Sequence, residues 1–349
     1  MLPLVKKFFN LRTNFLGVLS FSFIFLVFLI SIFSYVLAPD NSPNANFQNL
    51  SISSKKPGFT VTMIVYKDQS IRNRTIKSFL FGFENKEIQV PVSSYEIKGD
   101  LVNYLPYNSI ENKIETVDLS KVEIIDRTYY FGTDKLGRDV LSRIIVGTRI
   151  SFYIGFISVL ISLIIGVSLG SISGYYSGIA DKIIMWLINV TWSIPTLLLV
   201  IAITLALGKG FWQVFIAVGL TMWVEVARIV RGQIKQYKER QFVVAARVMG
   251  YNDFIIITKH ILPNIISPLI VISAANFAAS ILIESGLSFL GLGAQPPMTS
   301  WGLMIKDHYN YIILGEPFLA IIPGLCIMLL VCSFVILGNS LRDVLDVRN

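Results

Sequence analysis

The chain has 349 residues, 54% hydrophobic and 15% charged, with a mean hydropathy of +0.65. That balance excludes an ordinary soluble enzyme and indicates a polytopic membrane protein. The net charge of +8 is spread over the flanks of apolar runs, with no basic stripe carrying interleaved aromatics, which excludes a nucleic-acid partner and points to orientation in a lipid bilayer.

Met1–Asn14 carries Lys6, Lys7 and Arg12 and no acid, so the positive-inside rule keeps this end in the cytoplasm. The apolar run Phe15–Leu37 is too long for a signal-peptide core and lacks a small-residue cleavage pattern. Residues 1–37 are therefore a cytoplasmic segment and a retained first span. Residues 38–130 form a long extracytoplasmic insertion of near-balanced charge. Within it, Thr60–Tyr66 and Glu87–Val92 alternate or are rich in β-branched residues, and Lys77–Phe83 and Lys121–Ile125 are weaker strand candidates. The insertion reads as a small β-rich domain. It either shapes the outer mouth or grips a substrate-delivery protein.

Residues 131–150 read as an interfacial helix. Thr133 or Asp134 caps it, Gly137 breaks it before Arg138 and Asp139, and its arginines snorkel to the membrane surface. Further spans are expected at about Ser151–Gly174, Ile183–Leu207, Phe211–Val230, Asn264–Ser285 and Phe318–Gly338, each near the roughly 20 residues a bilayer requires. With the first span this makes six, so the C-terminus returns to the cytoplasm. Residues 151–340 form a five-helix core and 341–349 a cytoplasmic tail. Gly166 and Gly170 have the small-xxx-small spacing of a close helix–helix contact. Pro195, in the run Trp192–Leu197, kinks a span, either as a gate or as a packing feature. Glu225 and Arg228 lie three residues apart on one helix face and either pair or reach the lipid headgroups.

The connection 241–264, QFVVAARVMGYNDFIIITKHILPN, carries more order than a simple loop between spans needs. Val243–Met249 has helical periodicity, and Gly250 suits its C-terminal cap. Ala245 and Ala246 leave a low surface that another protein can approach, and Pro263 suits the first turn of the next span. The positive-inside rule puts this connection in the cytoplasm, through Arg231, Lys235, Lys238, Arg240, Arg247 and Lys259. It reads either as a docking helix for a soluble partner or as an amphipathic connector resting on lipid. Glu284 is the one acid deep in the apolar series, near the outward end of its span. It is a candidate pathway carboxylate or a partner for neighbouring backbone. Gly291, Gly293, Pro296 and Pro297 end that helix in a re-entrant turn or tight loop.

Three stretches carry a resemblance. Ala245, Ala246, Gly250, Leu262 and Pro263 fall in the register of the EAA loop of binding-protein-dependent ABC importer permeases, with Val244 where that family has glutamate and His260 at an apolar position. Gly132–Arg143, GTDKLGRDVLSR, matches the signature ahead of the second span in oligopeptide and dipeptide permeases of the C-subunit type. Leu287–Trp301, with LSFLGLG and PP…SW, resembles the same group. The resemblance covers the N-terminal span and residues from Phe131 onward. It implies an all-α, six-span permease of the type I ABC importer fold in the bacterial cytoplasmic membrane. Such a permease is half of a heterodimeric channel for peptides or nickel, with a second permease subunit, two ATPase subunits inside and a peptide-binding protein outside. Val244, Ala245, Ala246, Arg247, Gly250, Leu262 and Pro263 would then form the coupling site, with Pro195 and Glu284 as candidate gate or pathway residues.

No catalytic constellation, metal-ligand pair or cofactor motif is visible. There is no phosphate-cradling G-x-x-x-x-G-K-[ST] sequence, so if transport is active, ATP must be hydrolysed by another chain. A proton-coupled carrier using Glu284 and an anchored sensor using the insertion remain open as alternatives.

Overall fold

The computed structural model describes residues 14–67, 76–83, 88–108, 113–208 and 210–345. The basic N-terminal stretch, Glu87 of the second strand candidate and the last four residues of the tail lie outside the described residues. The chain divides into two compact units, one from Met1–Phe28, Ser151–Gln295 and Leu325–Asn349, the other from Leu29–Ile150 and Pro296–Gly324.

Five described helices are long and apolar enough to cross a membrane, and a bent pair makes a sixth candidate. They are α1 (Phe15–Leu37), α3 (Val140–Tyr176), the pair α4 (Gly178–Trp192) and α5 (Thr196–Leu207), α6 (Phe211–Lys238), the continuous helical stretch Asp253–Phe289 that ends in α8 (Ile266–Phe289), and α10 (Phe318–Leu345). The smaller helices are α2 (Ile76–Phe81), α7 (Gln241–Val248) and α9 (Trp301–His308). Pro195 does more than kink a span. It sits between α4 and α5, which diverge by 94°.

In the first unit α6 is the shared element. One face is joined to α3 through a ladder of glycines. A Cβ on Gly166 would meet Val226 Cβ at 2.5 Å and Trp223 O at 2.8 Å; on Gly170 it would meet Ala227 O at 2.6 Å. On Gly174 it would meet Arg231 O at 2.8 Å. The small-residue spacing thus does what it implied, letting two backbones approach where side chains would not fit. At the end of this seam Asp181 of α4 accepts Arg231 Nε at 2.6 Å, Arg231 Nη2 at 2.9 Å and Lys235 Nζ at 2.7 Å, tying α4 to α6.

The second unit holds an antiparallel sheet of β1 (Phe59–Tyr66), β2 (Gln89–Lys98), β3 (Leu101–Pro106), β4 (Glu115–Asp118) and β5 (Val122–Tyr129), in the order β4-β3-β2-β1-β5. β1 is apolar on both faces. Val61, Met63 and Val65 pack with Ile52 and Tyr129, while Ile64 packs with Val92, Val102, Tyr104 and Val122. Of Lys121–Ile125, Val122–Ile125 opens β5 while Lys121 ends the turn before it, and of Glu87–Val92, Gln89–Val92 lies within β2 while Ile88 precedes it. Lys77–Phe83 is not a strand: most of it forms α2, because its continuous run Phe79–Phe81 has no alternating face to offer a sheet.

The stretch 131–139 is not a helix either. It is a tight turn in which Asp134 Oδ1 accepts the amides of Leu136 and Arg138. Asp139, rather than Thr133 or Asp134, caps α3 by accepting the Ser142 amide at 3.1 Å. The turn is pressed against residues 49–57. A Cβ on Gly132 would lie 2.1 Å from Lys55 O, and one on Gly137 would lie 1.7 Å from Asn49 O. Arg138 and Arg143 do not snorkel. They are 6% and 1% exposed; the sheet domain's leading segment covers the turn that carries Arg138, and Arg143 lies in the first turns of α3 directly behind it.

Candidate functional site

The connection after α6 folds into a compact knot. Arg240, in extended backbone, precedes α7, and Gly250 closes it at φ +81°. The Gly250 amide donates to Arg247 O at 3.0 Å and the Tyr251 amide to Ala246 O at 3.2 Å, the paired bonds of a Schellman cap. Asn252 then accepts the Ile255 amide at 2.8 Å and starts a short helical turn that widens into a π-helix over Ile256–Ile261. Pro263 lies in the tight turn Leu262–Ile265 that leads into α8, where its missing N–H costs little.

Two of the expected site residues face inward. Ala246 (1% exposed) joins Val243 in a cluster with Val226, Val230, Ile234, Ile256, Ile261 and Ile265, and Leu262 packs at its edge. Ala245 and Ala246 therefore do not form one low surface. Adjacent helical residues are about 100° apart, and only Ala245 points outward. The outer surface is apolar instead: Val248 is 83%, Phe254 73% and Met249 68% exposed, beside exposed Val244 and Phe242. Arg247 is held within the chain. Its guanidinium lies 5.8 Å from the Tyr175 ring centre and donates to the Tyr175 hydroxyl at 3.5 Å. That hydroxyl donates to Asp253 Oδ1 at 2.6 Å, and Lys238 Nζ donates to Tyr175 O at 2.6 Å. The His260 ring lies 5.5 Å from the Tyr251 ring, tilted at 51° to it.

The candidate pathway residues separate. Glu284 is fully buried and accepts Ser288 Oγ at 2.7 Å, one turn along the same helix. Of Glu284 and Glu225, it is Glu225 that lines a cavity. It contributes to a space of about 160 Å³ with Thr191, Trp192, Thr196 and Asn276, at the α4–α5 break. Arg228 does not pair with Glu225; it lies over the Trp192 ring at 4.1 Å. A second space of about 660 Å³ is lined by Ile229, Gln233 and Tyr237 of α6, Asn264 and Ser267, and Arg342 of α10. Across the two cavities α6 presents Thr221, Glu225, Ile229, Gln233 and Tyr237, every fourth residue along one ridge.

Sequence reasoning did not find this ridge, Asp181, Tyr175 or the exposed Val248–Phe254 surface. The every-fourth-residue series of Thr, Glu, Gln and Tyr in an apolar helix was the available signal for the ridge.

Several apolar helices with polar-lined spaces between them, and a short helix offering an apolar face beside one of their connections, define a multi-pass membrane protein of the permease class. Residues 166–348 match the family described as the binding-protein-dependent transport system inner membrane component. The chain is 36% identical over 297 residues to the glutathione transport system permease protein GsiD of Pectobacterium atrosepticum, covering 84% of this chain and 97% of that one. To the Bacillus subtilis dipeptide permease DppC it is 42% identical over 218 residues, 62% of this chain and 68% of the relative. To the oligopeptide permease OppC of the same organism it is 38% identical over 220 residues, 63% and 72% of the two chains. The chain belongs to the family of inner-membrane components of binding-protein-dependent transport systems. It is a permease subunit of an ABC importer; the ATPase is a separate subunit, and the system includes a further permease and a binding protein.

Proposed function

We propose that the chain is one half of a heterodimeric channel for short peptides, and that α7 with the turn after Gly250 couples it to an ATPase on the cytoplasmic side. Both termini are cytoplasmic in this reading, and the sheet domain lies outside, facing the binding protein. The peptide class is the chemistry named for the relatives DppC and OppC. The observation that carries the coupling assignment is the division of labour in the connection. Val243 and Ala246 lock it to α6, while Val248, Met249 and Phe254 leave an apolar surface that none of the described residues covers. A surface of that kind marks a protein or membrane contact. Because it is bonded to α6 and continuous with α8, a push on it moves both helices as one body.

The transported peptide passes along the α6 ridge, where Glu225, Gln233 and Tyr237 offer polar groups opposite α8. The bend at Pro195 sits beside the cavity of about 160 Å³ and supplies the gate. Glu284 is a local tie and not part of the path.

Val248→Asp tests this reading. It places a charge on a position that is 83% exposed, so folding is unaffected. The variant should insert normally, lose ATPase co-purification in mild detergent and lose peptide uptake. Normal uptake and normal co-purification would refute the coupling assignment.

A further inference from the structure

The second unit contains a cleft of about 420 Å³ between the turn 131–139 with the first residues of α3 and the segment 296–307, and its charges do not balance. Lys135, Arg138 and Arg143 line it against one acid, Asp307. Behind them lies Asp134, whose Oδ2 accepts Arg138 Nε at 2.7 Å. Arg143 Nε is 3.7 Å from that same oxygen, too far for a hydrogen bond. Arg138 also donates through Nη1 to Asn46 Oδ1 at 3.1 Å. Three buried donors then have no acceptor among the described residues: Arg138 Nη2, Arg143 Nε and Arg143 Nη1. Lys135 Nζ reaches Asp307 O at 3.4 Å and Asp307 Oδ1 at 3.6 Å.

The other titratable groups nearby do not answer this deficit. Asp40 is occupied by the amides of Ser42 and Phe47, and Asp139 by Ser142. His308 bonds Met304 O through Nδ1, and burial favours its neutral form. The Arg143 charge is paired with Asp134 at 3.7 Å, but its Nε and Nη1 are buried without a hydrogen-bond acceptor, and leaving buried donors of a 1% exposed guanidinium unbonded is costly. The missing partner is an anion that accepts several N–H bonds at once, and a carboxylate matches a guanidinium in that way. The remaining wall, with Pro296, Met298 and Leu303, is apolar.

We propose that this cleft is a carboxylate-binding site, with Arg143 and Arg138 as the buried clamp and Lys135 at its rim. The carboxylate comes either from a small free acid or from the C-terminus of a short peptide. The peptide source rests on the transport reading above; the free-acid source does not.

Titration calorimetry on the purified full chain in detergent tests this with acetate, acetamide, alanylalanine and alanylalaninamide. Acetate should bind at least about tenfold more tightly than acetamide, because the uncharged amide forfeits the charge-assisted bonds. If alanylalanine binds and its amide does not, the peptide C-terminus is the ligand. If only acetate binds, the site takes free acids, and the cleft assignment still holds. Lys135 is about one-third exposed, so Lys135→Gln should fold normally. It should weaken acetate roughly fivefold, while Arg143→Gln abolishes binding. Equal affinity for acetate and acetamide, or acetate binding unchanged in Lys135→Gln, would overturn the proposal.

Discussion

The cap at Gly250 isolates a conformational cost from a steric one. At φ +81° the residue occupies a backbone region that side chains disfavour, yet a Cβ there would meet nothing within 4 Å. Gly250→Val therefore introduces no clash. Its penalty is that of holding a β-branched residue left-handed, about 1–2 kcal/mol. By the same reasoning Gly250→Asn costs less, because asparagine tolerates this region. A penalty of that size raises the open population of the cap roughly 5- to 30-fold. The amides that report it are Gly250 and Tyr251, which donate to Arg247 and Ala246. Hydrogen exchange of these amides in nanodiscs should accelerate by that factor in the valine variant and by less in asparagine, while amides of α6 are unchanged. Uptake should fall in the same order, since the cap sets where Met249 and Phe254 stand. Equal protection in all three proteins, or asparagine as damaging as valine, would show that the cap is not what fixes this surface.

Other parts of the molecule give sharper losses. Gly170→Leu must drive α3 and α6 apart, because even a Cβ would sit 2.6 Å from Ala227 O; the thermal midpoint in detergent should drop by the equivalent of about 3 kcal/mol or more. Asp181→Asn leaves Arg231 and Lys235 without their carboxylate, and a loss of about 1–3 kcal/mol is expected in the same assay. Gly137→Ala combines φ +71° with a Cβ 1.7 Å from Asn49 O; expression of folded protein should largely fail. His308 supplies a pH dependence. Its folded pKa lies below the ordinary value of 6.5, chiefly through burial, so the unfolded chain binds the proton more readily. Its contribution is complete above about pH 6.5 and is lost as pH falls towards the folded value. Unfolding monitored from pH 8 to 5 should show this slope, and His308→Gln should flatten it.

Features set by neighbours in sequence were legible from the start. The Gly250 cap depends on the residue and the turn before it, and the Gly166–Gly170 spacing defines a helix face without reference to its partner. What escaped depended on distant chain. Asp181 finds Arg231 fifty residues away. Thr133, Asp134 and Asp139 are all chemically able to cap a helix, and the choice was made by residues 49–57, whose backbone fills the space beside Gly132 and Gly137. Thr133 is taken up bonding that segment, with its hydroxyl accepting the Lys55 amide at 2.9 Å. Ala245 and Ala246 share a composition but not a helical phase, and phase is what separates the exposed alanine from the buried one. One local signal was overlooked: Gly99, at φ +61°, turns β2 into β3 between Tyr95–Lys98 and Leu101–Tyr104, a hairpin pattern in the sequence itself.

The most direct measurement is a site-specific cross-link from Val248→Cys, made after the two native cysteines, Cys326 and Cys332, are replaced with serine. In membranes containing the whole transporter, this cysteine should couple to the ATPase subunit and be labelled by a membrane-impermeant thiol reagent only from the cytoplasmic side. A cysteine labelled only from outside, with no cross-link to the ATPase, would contradict the account.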